Sequence, residues 1–215
     1  MAISFANTKG TAIKGAEAYK YKDDENVVRI VGGVLPRYVY WLKGTNGKDI
    51  PAECLAFNRD KEKFDNKEID WVPKYHPTIK CGWAYAVNCI DPSDGKVKVL
   101  NLKKKLFQQI MDAAGDGLGD PTDLDTGWDL VFKKKKIGPL AFNVEYTLSV
   151  LKLKKRPLTE EERAVVAAAD TIDVKIPRPT ADEIKALLEK IKNGEEEEAA
   201  PEGSAAGEAI NELNQ

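Results

Sequence analysis

Two runs of lysine dominate the chemistry available to this 215-residue chain: Lys103, Lys104 and Lys105, then Lys133, Lys134, Lys135 and Lys136. Four consecutive ammonium groups cannot all be buried, because each would have to shed its hydration. One use for them is a solubilising strand edge that deters aggregation. The other is contact with phosphates, which lysine neutralises without reading sequence. Aromatic residues are interleaved with them: Tyr38, Tyr40, Trp41, Trp83, Tyr85, Trp128, Phe132 and Tyr146. Rings that stack on bases beside lysines that track a backbone suit a groove for a single strand of nucleic acid. A small barrel also needs large rings inside, so this set divides between core and groove. Tyr40, Trp83 and Tyr85 are the stacking candidates. Arg37 and Lys43 share a strand pattern with Tyr40, and Arg59, Lys61, Lys63 and Lys74 lie in a charged insertion over 58–77. That insertion also holds Phe64, Trp71 and Tyr75. It either covers a bound strand or is a solvated loop with its rings packed beneath.

The elements that must position these groups are mostly strands. Residues 26–31 form a strand by β-branched content, ended by Gly32 and Gly33. Residues 34–43 read as the next, with Pro36 at its start, and 51–57 as a third. These pieces supply the first half of a barrel. Strand patterns at 82–90 and 96–102, a short helix over 103–114, an acidic Gly-rich loop, and strand patterns at 128–136 and 142–153 supply the second half of a small Greek-key barrel. Thr159 with Glu162, and Thr180 with Glu183, form capping boxes that open two helices. The second helix carries an apolar stripe of Ile184, Leu187, Leu188 and Ile191 and stops at Gly194. The expected organisation is an arm over 1–25, a core over 26–156, a helical extension over 157–194 and a disordered acidic tail over 195–215.

Residues 85–91 (YAVNCID), 95–100 (GKVKVL), 104–110 (KKLFQQI), 119–123 (GDPTD), 127–129 (GWD) and 144–146 (VEY) carry a resemblance. The middle third of the chain resembles the single-stranded DNA-binding, helix-destabilising proteins of tailed phages of the T-even type. The resemblance implies a mainly β, OB-fold core, cooperative coating of single strands, and an acidic tail that meets replication or recombination proteins. It also implies a structural zinc held by a Cys3His set, for which Cys54, His76, Cys81 and Cys89 are the residues present. No Cys-x-x-Cys pair exists, and Cys54 and Cys89 fall inside strand patterns where a buried thiol is ordinary, so no cofactor is expected. The family's basic N-terminal motif has no compact counterpart among Lys9, Lys14, Lys20 and Lys22, which leaves self-association along DNA open.

Charge divides sharply along the chain. Residues 1–156 hold 27 Lys and Arg against 20 Asp and Glu, a net of +7, while residues 157–215 hold 6 against 15, a net of −9. A basic body with an acidic tail that competes with nucleic acid for it fits that division. No apolar run approaches a membrane span, residues 1–5 lack the form of a secretory signal, and three cysteines form no disulfide framework, which together suggest a host cytoplasm. The loop over 115–120 lacks the lysine and hydroxyl of a phosphate loop, and no nucleophile-and-base constellation is recognisable, so catalysis is not expected. The expected function is to coat and protect unpaired strands in phage-type DNA replication, recombination and repair. The alternative is a protein–protein interaction module acting through the acidic tail and the amphipathic helix.

Overall fold

The computed structural model describes residues 17–140 and 143–194. The fold is mainly β. Its central strand, β1 (Asp24–Leu35), is long enough to serve two hairpins at once. The first half of β1 pairs with β9 (Leu130–Lys136), which pairs in turn with β10 (Val144–Leu148). The second half pairs with β7 (Ala86–Asp91), itself paired with β8 (Lys96–Asn101). The result is a five-stranded antiparallel sheet in the order β10-β9-β1-β7-β8. A bulge between Val31 and Val34, at Gly32 and Gly33, bends β1 and shifts its register.

The structure corrects the expectation that 26–31, 34–43 and 51–57 are three strands supplying the first half of the barrel: Gly32 and Gly33 form a bulge and do not end the first strand, and Val34 and Leu35 belong to β1. Among the described residues before 58, β1 is the strand that joins the large sheet. Residues 38–83 leave it, and β2 (Tyr38–Lys43), β3 (Asp49–Glu53) and β6 (Gly82–Trp83) build a separate three-stranded sheet in the order β3-β2-β6. The charged insertion is ordered too, as the small hairpin β4 (Phe57–Asn58) and β5 (Lys63–Phe64) followed by one helical turn, α1 (Val72–Tyr75). The physical reason is β-strand pairing, which is non-local: alternation marks a strand but does not name its neighbour.

Helix α2 (Lys104–Ala113) buries Leu106, Ile110 and Ala113 against the inner face of the large sheet, with Val28, Ile30, Val87, Leu100, Leu130 and Phe132. Gln109 of α2 also serves the outer edge of β10. Its side chain donates to Tyr146 O at 3.1 Å and accepts from Leu148 N–H at 2.7 Å, which satisfies backbone groups that a further strand would otherwise pair.

The C-terminal part is not an appended extension. Helix α5 (Ala181–Asn193) opens with the expected Thr180–Glu183 capping box and places Ile184, Leu188 and Ile191 in the main core. Three of the four stripe residues are thus spent on the fold, with Leu187 half-buried beside them, which weakens the alternative interaction-module reading. Helices α3 (Glu160–Ala168) and α4 (Ile172–Lys175) lie against the outer face of the β1–β7–β8 region. There Leu158 meets Val31 and Ile90, and Ile172 meets Leu35, Ala86 and Val99. The stretch 170–179 contains α4, a single turn that ends before Pro177.

An ion cluster closes the β7–β8 turn. Lys98 Nζ lies 2.8 Å from both Asp91 Oδ2 and Asp94 Oδ2. Burial pushes the Asp91 carboxyl up, but hydrogen bonds from Lys98 and Ser93 outweigh it and hold the group at about 2, below its ordinary 3.8. A carboxylate depressed on folding stabilises fully above that ordinary value and loses the contribution as pH falls toward about 2. Denaturant unfolding from near-neutral pH down to about pH 2 should therefore show a stability decline that is shallower in Asp91→Asn. Identical slopes would remove Asp91 from the acid transition.

Candidate nucleic-acid interface

Six aromatic rings come together where the three-stranded sheet, the β4–β5 hairpin and α2 meet. Strand pairing does the positioning: Tyr38 stands opposite Trp83 in the β2–β6 pair, and Phe57 opposite Phe64 in the β4–β5 pair. Trp83 and Tyr85 are stacked, with centroids 3.5 Å apart and planes 13° from parallel. Phe107 of α2 adds an edge, 5.4 Å from Trp83 and 5.7 Å from Tyr85. Tyr38 packs 4.7 Å from Phe57 and 5.0 Å from Phe64. The indole of Trp83 is fixed by donation from Nε1–H to Leu102 O at 2.9 Å.

The members differ in what they present to solvent. Tyr85 is buried, and its hydroxyl donates to Glu62 Oε2 at 3.2 Å; burial, then Glu62, pushes its pKa up. Tyr38, Trp83 and Phe107 are half-buried, while Phe64 is 49% exposed. Of the three stacking candidates, then, only Trp83 reaches the surface. Tyr40 is a core residue whose hydroxyl donates to Asp70 Oδ2 at 3.0 Å. The stacking candidates read from sequence leave out Phe64, Phe107 and Tyr38. Phe64 lies in the insertion, Phe107 in the helix over 103–114, and nothing in the sequence says that the three rings converge.

The cations divide as clearly. Arg37 is buried and donates from Nε to Ala84 O at 3.0 Å. Arg59 grips Glu53, with Nε 2.7 Å from Oε1, and donates to Ile176 O at 3.1 Å. Both are tied into the scaffold. Lys43 pairs with Asp49 at 2.6 Å and Lys134 with Asp23 at 3.0 Å. The ammonium of Lys74 sits 4.3 Å over the Trp71 ring. By contrast Lys61, Lys63, Lys104, Lys105, Lys133, Lys135 and Lys136 are exposed and form no salt bridge among the described residues.

Lys103, Lys104 and Lys105 occupy a position that helix energetics disfavours. The N-terminus of α2 has no side-chain cap and no acid in its first turn, so three cations face the positive end of the helix dipole. The same chain caps α3 and α5 fully, with Glu160, Glu161 and Glu162 in one first turn and Asp182 and Glu183 in the other. An uncapped helix start crowded with lysine offers both N–H donors and charge to an anion. Lys103 also lies 6.0 Å from the ring centre of Tyr21 and 5.8 Å from that of Tyr146. Tyr146 stands opposite Lys134 in the β9–β10 pair. Rings and lysines thus run continuously from Phe64 and Trp83, over the start of α2, to the β9–β10 hairpin.

The trio at 127–129 serves the scaffold. A side chain at Gly127 would collide with Asp123 O and with the guanidinium of Arg29. Trp128 is fully buried, and Asp129 pairs with Arg156 at 2.7 Å. Nor are the four zinc candidates brought together: no three His, Cys, Asp or Glu side chains among the described residues are arranged to hold a metal ion. Cys54 and Cys81 are hydrogen-bonded beside Tyr40 and Asp70. Cys89 is apart from them on β7, where burial, then Asp91, pushes its thiol up to about 12. No helix of the described residues is long and apolar enough to cross a membrane. The acidic tail, Lys9 and Lys14 lie outside the described residues.

No family model matches the chain. It is, however, 31% identical to the probable ssDNA-binding protein of Escherichia phage T5, an alignment that takes in 98% of this chain and 86% of that protein. Similarity of that extent along nearly the whole length makes the chain a member of the family to which the phage T5 protein belongs.

Proposed function

We propose that the chain is a single-stranded DNA-binding protein that holds unpaired strands open by stacking and phosphate neutralisation, without catalysis or cofactor. The observation that carries this reading is the uncapped, lysine-crowded start of α2 beside the six-ring cluster. The name of the phage T5 relative supports it. The strand order supports an OB-type barrel. Counted along such a barrel the strands are β1, β7, β8, β9 and β10, with α2 between the third and fourth. In that fold the loops joining strands one to two and four to five border the oligonucleotide site. Here those two connections hold Phe64 and Lys63 on one side, and the turn after Lys136 on the other.

Coating of strands in phage replication, recombination and repair, in an infected host cytoplasm, is the setting we propose. Recruitment of replication proteins by the acidic tail belongs to the same proposal, as does kinship with the T-even-type proteins. Titration with poly(dT) should quench tryptophan fluorescence, with an affinity that falls steeply as salt rises. Absence of both effects would overturn the reading. Trp83→Ala should weaken poly(dT) binding by about 1–3 kcal/mol while unfolding at nearly the same denaturant concentration, because half of a stacking platform is removed and little core. A variant that binds normally would take Trp83 out of the interface.

A further inference from the structure

The β9–β10 hairpin extends past the path of rings and lysines, and the described residues of its connection are Ile137, Gly138, Pro139, Leu140 and Asn143. Two large aliphatic side chains stand out from this connection, Ile137 62% exposed and Leu140 51% exposed. Backbone hydrogen bonds hold the described residues of this connection together. Ile137 N–H donates to Asn143 O at 2.8 Å, and Asn143 N–H donates to Leu140 O at 3.1 Å. A side chain at Gly138 would collide with that of Asn143, so any larger residue there would displace the Asn143 side chain. Pro139 removes further freedom.

Beneath this apolar tip lies a basic stalk. Lys133, Lys135 and Lys136 are exposed and form no salt bridge among the described residues, although Glu25 and Glu145 are the cross-strand neighbours of Lys133 and Lys135. Because side chains alternate across a strand, Lys133 and Lys135 face one side of the hairpin and Lys136 the other. An aliphatic tip flanked by cations on both sides is complementary to one kind of surface in particular. The last base pair of a duplex presents a flat apolar face, bordered on both sides by phosphates, and aliphatic side chains are known to wedge between base steps.

We propose that Ile137 and Leu140 form a wedge that seats against the terminal base pair where a duplex gives way to single strand, with Lys133, Lys135 and Lys136 holding the two backbones. This rests on the single-strand reading of the interface. The stalk continues the strand path, since Tyr146 beneath Lys103 is the cross-strand neighbour of Lys134. A strand lying along the rings is thereby delivered to the tip at the point where it becomes paired.

The test compares a forked oligonucleotide, carrying 2-aminopurine in its last base pair, with the same single-stranded arm alone. Wild-type protein should bind the fork about tenfold more tightly than the arm, the gain from covering two half-exposed aliphatic side chains. It should also raise 2-aminopurine fluorescence as the terminal pair unstacks. The double variant Ile137→Ser, Leu140→Ser should bind the arm within about twofold of wild type, yet lose both the fork preference and the fluorescence rise. Leu151→Ser, at a fully exposed leucine away from the hairpin tip, should keep both. Equal binding to fork and arm would overturn the wedge while leaving the single-strand reading intact, and would mark the tip as a protein-facing patch. A fork preference that survives in the double variant would overturn it as well. Binding to neither oligonucleotide would overturn the single-strand reading and the wedge with it.

Discussion

Alanine at Lys104, Lys105, Lys133, Lys135 and Lys136 together is expected to lower the slope of log affinity against log salt by about 2 to 3.5, according to how many of them meet the same strand, and to weaken poly(dT) binding by about tenfold or more at low salt. All five are exposed and carry no ion pair among the described residues, whereas Lys134 is engaged by Asp23. Each single-strand phosphate that goes without its lysine takes about 0.7 from the slope, so the change counts the neutralised phosphates directly. Stability should move the other way. Lys104 and Lys105 oppose the dipole of α2, and their removal should stabilise the helix by about 0.3–1 kcal/mol each. Salt titrations of wild type and variant, beside urea unfolding of each, separate the two effects. An unchanged slope would place these lysines off the DNA, whatever happened to stability.

Trp128→Ala should lower the free energy of unfolding by about 3–5 kcal/mol, the range for deleting a large buried aromatic. Trp128 is fully buried, and its Nε1–H donates to Gly119 O at 3.0 Å, so the cost includes a hydrogen bond that ties the loop before β9 to the core. The contrast with Trp83 is informative, since the two indoles are equivalent in sequence terms. Under conditions where Trp128→Ala is still folded, its affinity for poly(dT) should match wild type. Reduced affinity at undiminished stability would contradict the core placement.

Local features were the legible ones. The strand at 26–31, the helix after Lys103, both capping boxes and the stop at Gly194 all depend on residues within a few positions of one another, and all appear in the structure. Partner choice was not legible. β1 pairs with strands roughly 55 and 105 residues further on, and no periodicity records that. The site divided along the same line. Exposure of the lysine runs follows from the desolvation of charge, so those positions could be read directly. The rings could not, because Tyr40, Tyr85 and Trp83 have the same chemistry, and only tertiary packing separates the first two from the third. The scaffold roles of Arg37 and Arg59 were hidden for a related reason: their partners, Ala84 O and Ile176 O, are 47 and 117 residues away.

The cover that residues 157–178 place over β1, β7 and β8 has a kinetic meaning. Arg29, buried in the first strand, donates to Arg156 O across 127 residues of chain, and Asn88 donates to Asp170 O across 82. Contacts of such separation close large loops and make folding slow, on the order of milliseconds to seconds. During synthesis the β7–β8 hairpin can form early, but Val31, Ile90, Ala86 and Val99 stay bare until α3 and α4 have left the ribosome. The interval in which this apolar strand face is open to other nascent chains is therefore set by the rate of translation through the last of these residues, and slowing it should increase the aggregated fraction.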